Sequence, residues 1–596
     1  MAAPPDARAR RIRAGLALFA VLALGAALRL DRLAETPAGL FADEAAIAAN
    51  AWTLGASGRD LAGARLPLYS RLRSFEVSGQ SGIVSQPVFQ YASVPFVRLF
   101  GRTPTAARLP AVAFGVLGIA GAFLLGGALF DRRVGITAAA LLSIAPWHLH
   151  FSRVGFEAVS LPALLALAAW QILRGLERPR SLAFGAALLA LATYAYPVAR
   201  VFVPLLCVGF ALAYGGRLLA KRRALAVAAL VFAVLELPNL VSLSMGADRE
   251  RLRETLLPWA DLRRERAVGW LEERGGGSPL AASVLADRRL LVPFVFAWNY
   301  AEYLSPRFLF LEGDPNPRHH PTRLGACPLF YAPLLLVGLA ALWRRRREPA
   351  SRLLLWWLFS WPIPAGMTID APHAIRSICA LPALEVTAAL GFATLAAPAL
   401  AGRWRAGSRA AAAALAVAAV AETTAFVRFY HGEYRLSSAQ AWQAGTGPAL
   451  REVARRRHDH PHSFLSGGIF GIHAFALFFG DLDPAELDPR KAPRQQLEAR
   501  GYRIVAPGEA VRTAPGDLWL VSADERRSAP WRELASFPLP DGSPNLYVVE
   551  WPAGGAALPH APDAGAAARA GPSSSAKTPS TSAMPAARTP PPGGPP

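Results

Sequence analysis

Long apolar runs separated by short polar turns fill the first two-thirds of the chain, and their lengths predict membrane-spanning helices. The first run, Gly15 to Leu30, covers about one bilayer hydrocarbon thickness at roughly 1.5 Å per residue. Ten more follow, at about 107–130, 134–147, 158–173, 181–195, 200–215, 224–243, 326–343, 352–367, 376–397 and 409–427. Two longer segments interrupt the series: 31–105 after the first span, and the polar stretch 244–324 after the seventh, with its Gly275-Gly276-Gly277 break and the sequence GDPNPRHHPTRLG. After a short break at Pro37 to Gly39, FADEAAIAAN at 41–50 opens a helix-like pattern with Ile47, Ala51 and Leu54 on one side and Asp43 at its start.

The pattern changes near residue 430. AQAWQAGTGPALREVARRR reads as an amphipathic helix, and SFLSG, YRIVAP, DLWLVSA and NLYVVEW read as short strands, which makes 430–552 a small soluble α/β domain. In 553–596 Ala, Pro, Gly, Ser and Thr dominate, with too few large apolar residues to build a core, and this tail reads as disordered. The expected fold class is a polytopic α-helical membrane protein: a unit of about eleven transmembrane helices over 1–429, a C-terminal α/β domain and a disordered tail.

A chain of 596 residues would suggest several soluble domains, but a hydrophobic content of 53% assigns most of the length to one membrane unit. The net charge of +21 raises the question of nucleic acid. The arginines, however, fall in short clusters between apolar runs, which is the distribution of topology determinants and argues for a bilayer and against nucleic acid as a partner. Arg8, Arg10, Arg11 and Arg13 precede the first span, so the positive-inside rule places the N-terminus in the cytoplasm. RLLAKRR, RRRRE and AGRWRAGSR recur on that side, leaving 31–105, 244–324 and the C-terminal domain on the external or periplasmic face of an inner (plasma) membrane. The first run could pass for a signal peptide, but it lacks a small-x-small cleavage site and reads as a retained helix. Cys207, Cys327 and Cys379 give neither a disulfide framework nor a metal spacing and read as core residues.

Charged and imidazole side chains gather at the external ends of the spans: Asp43 and Glu44, then His148, His150, Arg153 and Glu157, then Arg200, then Arg318 to His320, and finally His373 and Arg376. A shared external site is the economical explanation, although each member also has an ordinary role. Asp43 and Glu44 suit the start of an interfacial helix, Arg153 and Arg376 suit snorkelling anchors, and histidines beside Trp147 suit the interface. A carboxylate such as Asp43 can take the proton of an attacking hydroxyl, and guanidinium groups such as Arg153, Arg200 and Arg376 can stabilise a departing phosphate. A divalent cation held by Asp43, Glu157 and a histidine would do similar work, but no compact ligand motif specifies one.

FADE after the first span, FGRTPTAARLPA opening the second, the loop PWHLHFSRVGFE and the YPVAR hairpin, in this order, resemble the GT-C membrane glycosyltransferases. More narrowly, they are similar to the family 39 group that includes protein O-mannosyltransferases and the aminoarabinose transferases of lipid A. The resemblance spans roughly 14–430 and implies a polyprenyl-phosphate-linked hexosyl or pentosyl donor, an acceptor lipid, glycan or protein on the external face, and inversion at the anomeric carbon. It also implies that Asp43 matches the family's acidic residue in the first external loop and serves as the catalytic base, that Glu157 stands where the family commonly has Asp after a Ser-Arg element, and that Arg200 contacts the carrier phosphate. Glu44 joins the catalytic set, and His148, His150, His319, His373 and Arg376 join the substrate-binding set. The competing classes are a transporter or flippase, for which Glu385 in the tenth span is the main intramembrane acid, and a membrane-anchored scaffold.

Overall fold

The computed structural model describes residues 5–71, 84–245, 255–262, 265–275, 277–321, 324–396, 405–483, 486, 488, 491, 493–509 and 511–553. Most of it is helical. Among the described residues, seven helices are long and apolar enough to cross a membrane: Ile12–Leu30, Pro104–Leu129, Glu157–Gly175, Ala199–Leu219, Arg222–Ser242, Ile378–Ala396 and Ala410–Ser437. Arg180–Thr193 and Tyr331–Arg344 are shorter apolar helices. The expected third and ninth spans are also short, as Arg132–Ile144 and Pro349–Ser360. Proline sets both limits: Pro146 and Pro362 lack an N–H to continue a ladder, and each begins a new helix, Pro146–Phe151 and Pro362–Gly366. The chain is a multi-pass membrane protein whose spans are unequal in length.

The segment read as polar, 244–324, is largely helical where described. Arg288–Leu304 buries Leu291, Val295, Asn299 and Tyr303, a stripe at intervals of four that marks one helix face. Within the bundle, small residues let helices approach closely. A Cβ on Gly338 would run into Thr387 O, and one on Gly391 into Leu334 O. Cys327 and Cys379 are buried free thiols, whereas Cys207, expected in the core, is exposed on Ala199–Leu219.

The C-terminal domain is built on a five-stranded mixed sheet in the order Tyr502–Val505, Ser463–Ser466, Leu518–Ser522, Leu546–Glu550, Arg532–Phe537. The first three strands run parallel and the last two pair antiparallel. Alternation sorts the side chains: Phe464, Trp519 and Val549 pack in one cluster, while Leu465, Leu520 and Val548 join the main core with the helices Thr446–Arg456 and Ile472–Phe479. The strand Arg532–Phe537 was not foreseen, because RELASF alternates weakly and is largely solvent-facing. The domain rests on the first extramembrane segment. Ile472–Phe479 packs on the helix Ala42–Ser57, Trp52 Nε1 donates to Asp483 at 2.7 Å, and the Ala42 N–H donates to Gln443 Oε1 at 3.0 Å. The tail expected to be disordered lies outside the described residues from 554 onward.

Candidate functional site

Several chain segments converge on a cavity of about 460 Å³. Asp43 reaches it from the first turn of Ala42–Ser57, Glu157 from the 3-10 turn Glu157–Val159, and Arg200 from the start of Ala199–Leu219. Arg318 and His319 come from the loop after Arg307–Leu311, and His373 and Arg376 from the loop before Ile378–Ala380. Tyr196, Pro197, Val198, Val201, Leu256 and Pro364 give the cavity an apolar wall beside this charged one. The structure thus brings together Asp43, Glu157, Arg200, Arg318, His319, His373 and Arg376 from the sequence-based cluster.

The adjacent acids part company. Glu44 is fully buried, and each of its oxygens accepts two hydrogen bonds: Oε1 from Arg108 Nε at 3.0 Å and Gly155 N at 2.7 Å, Oε2 from Phe41 N at 2.9 Å and Arg108 Nη2 at 3.3 Å. It therefore performs the helix-starting role expected of the pair, closing on the N–H of Phe41, the N-cap residue. Gly155 permits this approach, since a Cβ there would stand 2.9 Å from Ala107 O. Asp43 is left facing the cavity with Arg318 in electrostatic range.

Arg153 does not line the cavity, contrary to expectation. It is buried, and its guanidinium donates to Leu28 O, Arg29 O, Asp31 O and Thr36 O at 2.7, 3.1, 2.6 and 3.2 Å. Those carbonyls end the first helix and begin the loop leading to Asp43, so Arg153 is a C-terminal cap for one and a pin for the other. Arg108, which the sequence reading passed over, adds bonds to Leu33 O at 3.0 Å and Pro37 O at 3.1 Å. The loop before Asp43 is thus held by two buried arginines.

His148 and His150, expected in the binding set, do not line the cavity either. His148 is buried with Nδ1 2.8 Å from Arg29 Nη2, and burial together with that guanidinium holds its imidazole well below the usual value. His150 sits under the site: Nδ1 pairs with Tyr430 OH at 3.0 Å and Nε2 with Arg318 O at 2.9 Å, while burial pushes the ring down to about 3. A neutral imidazole there braces the backbone that presents Arg318.

The cationic side chains of the cavity are oriented by neighbours. Arg318 lies over the Phe41 ring at 4.2 Å; burial pulls its guanidinium below the ordinary value, against the attraction of Asp43 and Asp314. Arg200 Nη2 donates to Tyr69 OH at 3.2 Å, and Tyr69 in turn donates to Asn239 Oδ1 at 2.8 Å. Arg376 donates to Ile369 O and stands 3.9 Å from Asp370 Oδ2. Glu157 Oε1 accepts from Gln86 N at 2.6 Å.

The set of Asp43, Glu157 and a histidine, which the sequence left open as a cation site, does not assemble among the described residues. Among the described residues a different trio does: Asp314, His319 and His373 present ligand atoms within 4.8 Å of one another. His319 Nδ1 is 3.1 Å and His373 Nδ1 3.9 Å from Asp314 Oδ2, and the two rings stack with centroids 4.2 Å apart. Burial alone would raise the Asp314 carboxyl, but His319 and the Asn316 and Ala374 backbone N–H groups hold it below its usual value. Asp314, hidden among the turn formers of GDPNPRHHP, was missed; its spacing of five to His319 was the available signal.

Residues 85–241 match the model of the family described as dolichyl-phosphate-mannose-protein mannosyltransferase, which bears out the glycosyltransferase resemblance over that stretch. No curated protein matches the chain. Among solved structures, ArnT from Cupriavidus metallidurans in the apo state is 13% identical, with 91% of this chain and 98% of that one covered and a TM-score of 0.49. The same protein bound to undecaprenyl phosphate is 15% identical, covering 90% and 97%, with a TM-score of 0.48. The archaeal oligosaccharyltransferase AglB from Archaeoglobus fulgidus, with an inhibitory peptide and a dolichol-phosphate, is 15% identical, covering 84% and 70%, with a TM-score of 0.49.

Proposed function

We propose that the chain is an inverting membrane glycosyltransferase that moves a sugar from a polyprenyl-phosphate carrier to an acceptor on the external face. The observation that carries this reading is the cavity in which Asp43 faces Arg200, Arg318 and Arg376 beside an apolar wall. A lipid phosphate sugar needs that combination: cationic groups for the phosphate, apolar surface for the adjoining prenyl chain, and a carboxylate for the acceptor. The match of 85–241 to a mannosyltransferase family supports the same chemistry.

In this scheme the acceptor hydroxyl oxygen attacks the anomeric carbon, the bond from that carbon to the phosphate oxygen breaks with its electron pair, and the hydroxyl proton passes to Asp43. The arginines stabilise the charge that develops on the leaving phosphate. Glu157, held by Gln86 N and lining the same cavity, is assigned to positioning the substrate. The C-terminal domain packs on the Ala42–Ser57 helix that carries Asp43, which supports a role for it near the acceptor in this reading. A transport path would line its route with ionisable groups, whereas Glu385, the intramembrane acid of Ala383–Ala396, does not line the cavity. Lipid extracts of a deletion strain test the reading: an accumulating polyprenyl-phosphate sugar supports it, and an unchanged lipid-linked sugar pool contradicts it.

A further inference from the structure

We infer that Tyr69, Asn239 and Glu236 form a hydrogen-bonded relay that positions the Arg200 guanidinium for the carrier phosphate. Arg200 lines the cavity; its Nη2 donates to Tyr69 OH at 3.2 Å, and its guanidinium carbon lies 5.7 Å from the centre of the Tyr69 ring. Tyr69 OH donates onward to Asn239 Oδ1 at 2.8 Å. The Asn239 amide is fixed from its other end. Nδ2 donates to Glu236 Oε2 at 3.0 Å and to Thr193 Oγ1 at 3.1 Å, and Glu236 Oε1 accepts from the Thr193 hydroxyl.

The carboxylate sets the direction of the whole chain. It only accepts, so the Asn239 NH2 must face Glu236 and the amide oxygen must face Tyr69. A phenol has one hydrogen, and with that hydrogen committed to Asn239 its lone pairs are left to meet the Arg200 N–H. The far end of the relay is anchored in the bundle: Asn239 is 1% and Glu236 9% exposed, both on the helix Arg222–Met245. Tyr194 OH braces the same turn, accepting from Asn239 N at 3.1 Å and donating to Leu235 O, two groups that a regular helix would pair, beside Pro238, which has no N–H. An arginine side chain left to itself keeps much rotamer freedom, and the ligand that binds it must bear the cost of ordering it. The relay orders Arg200 beforehand. The inference rests on the proposed function, in which Arg200 meets a lipid phosphate, and names the residues that prepare it.

The test compares binding of undecaprenyl phosphate and of undecaprenol, which lacks the phosphate, to the full-length protein in detergent by native mass spectrometry. Tyr69→Phe removes the hydroxyl and keeps the ring beside Arg200. It should weaken undecaprenyl phosphate binding about 3- to 10-fold, the worth of one hydrogen bond, and leave undecaprenol binding unchanged. Asn239→Leu, close in size but without the amide, should weaken the phosphate lipid at least as much. In an Arg200→Ala background Tyr69→Phe should have no further effect, because the relay acts through that guanidinium. Leu240→Ala, on the exposed face of the same helix, should bind both lipids as wild type does. The half-buried Tyr69→Phe covers the case in which Asn239→Leu misfolds. A wild type that binds undecaprenyl phosphate no better than undecaprenol would overturn the proposed function and the relay with it. Phosphate binding that falls in Arg200→Ala but not in Tyr69→Phe, an equal loss for both lipids, or additive losses in the double variant would overturn the relay alone.

Discussion

Replacing Glu44 by Gln should destabilise the protein far more than replacing Asp43 by Asn, although the two acids are neighbours. Glu44 and Arg108 are both 0% exposed and ion-paired at 3.0 Å. Four donors converge on the carboxylate, two on each oxygen. An amide keeps one acceptor oxygen, so its NH2 must confront either Arg108 Nε and Gly155 N or Arg108 Nη2 and Phe41 N. Breaking a buried ion pair by removing one partner costs about 3–5 kcal/mol. Arg108 retains its bonds to Leu33 O, Pro37 O and Gly39 O, which favours the lower end, near 3 kcal/mol. At roughly 2–4 °C per kcal/mol the midpoint should fall by at least about 6 °C. Asp43→Asn keeps the side chain's size and can still serve the first helix turn, so it should stay within about 1 kcal/mol. Scanning fluorimetry in one detergent at one heating rate reads both variants, and Glu44→Gln/Arg108→Gln should recover part of the loss by removing the stranded charge. A Glu44→Gln protein melting within 2 °C of wild type, on the order of 1 kcal/mol or less, would refute the structural role.

Arg200→Ala should weaken binding of a polyprenyl-phosphate donor about 10- to 100-fold, the worth of one charge-assisted hydrogen-bonding group, with Lys restoring only part because it lacks the planar fork; unchanged affinity in both would remove Arg200 from the site. Glu265, 2% exposed, is pushed up to about 7 by burial and by the nearby Asp370. Its folded value lies above the unfolded one near 4.5, so its contribution to stability is full below that pH and lost as pH rises to about 7. Glu265→Gln should therefore melt higher than wild type at pH 8, by up to about 3 kcal/mol, and close to it near pH 5; a constant difference across that range would contradict the burial argument.

The helical membrane unit, the C-terminal sheet and the glycosyltransferase resemblance were legible in the sequence, because apolar run length, strand alternation and motif order are local signals. Convergence was partly legible as well: Asp43, Glu157, Arg200, His319, His373 and Arg376 were grouped only by lying at span ends on one side, and they meet at one cavity. What local pattern could not separate was a side chain facing the cavity from one turned inward. Asp43 and Glu44 differ by one step along a helix turn, yet Glu44 pairs with buried Arg108 while Asp43 lines the cavity. Arg153 looked like a phosphate ligand and serves backbone carbonyls at the end of the first helix. Arg318 carries its importance through its seat over Phe41 and the brace from His150, both long-range contacts without a sequence period.

The central claim is that Asp43 is the proton acceptor of a sugar transfer from a polyprenyl-phosphate donor. The most direct measurement is single-turnover transfer of radiolabelled sugar from such a donor by purified wild type and Asp43→Asn in nanodiscs, with donor affinity determined on the same samples. The account predicts normal donor binding and a transfer rate lowered by about 10² to 10⁴ for Asp43→Asn, the usual loss when general-base help is removed. An Asp43→Asn protein transferring sugar at the wild-type rate would contradict it.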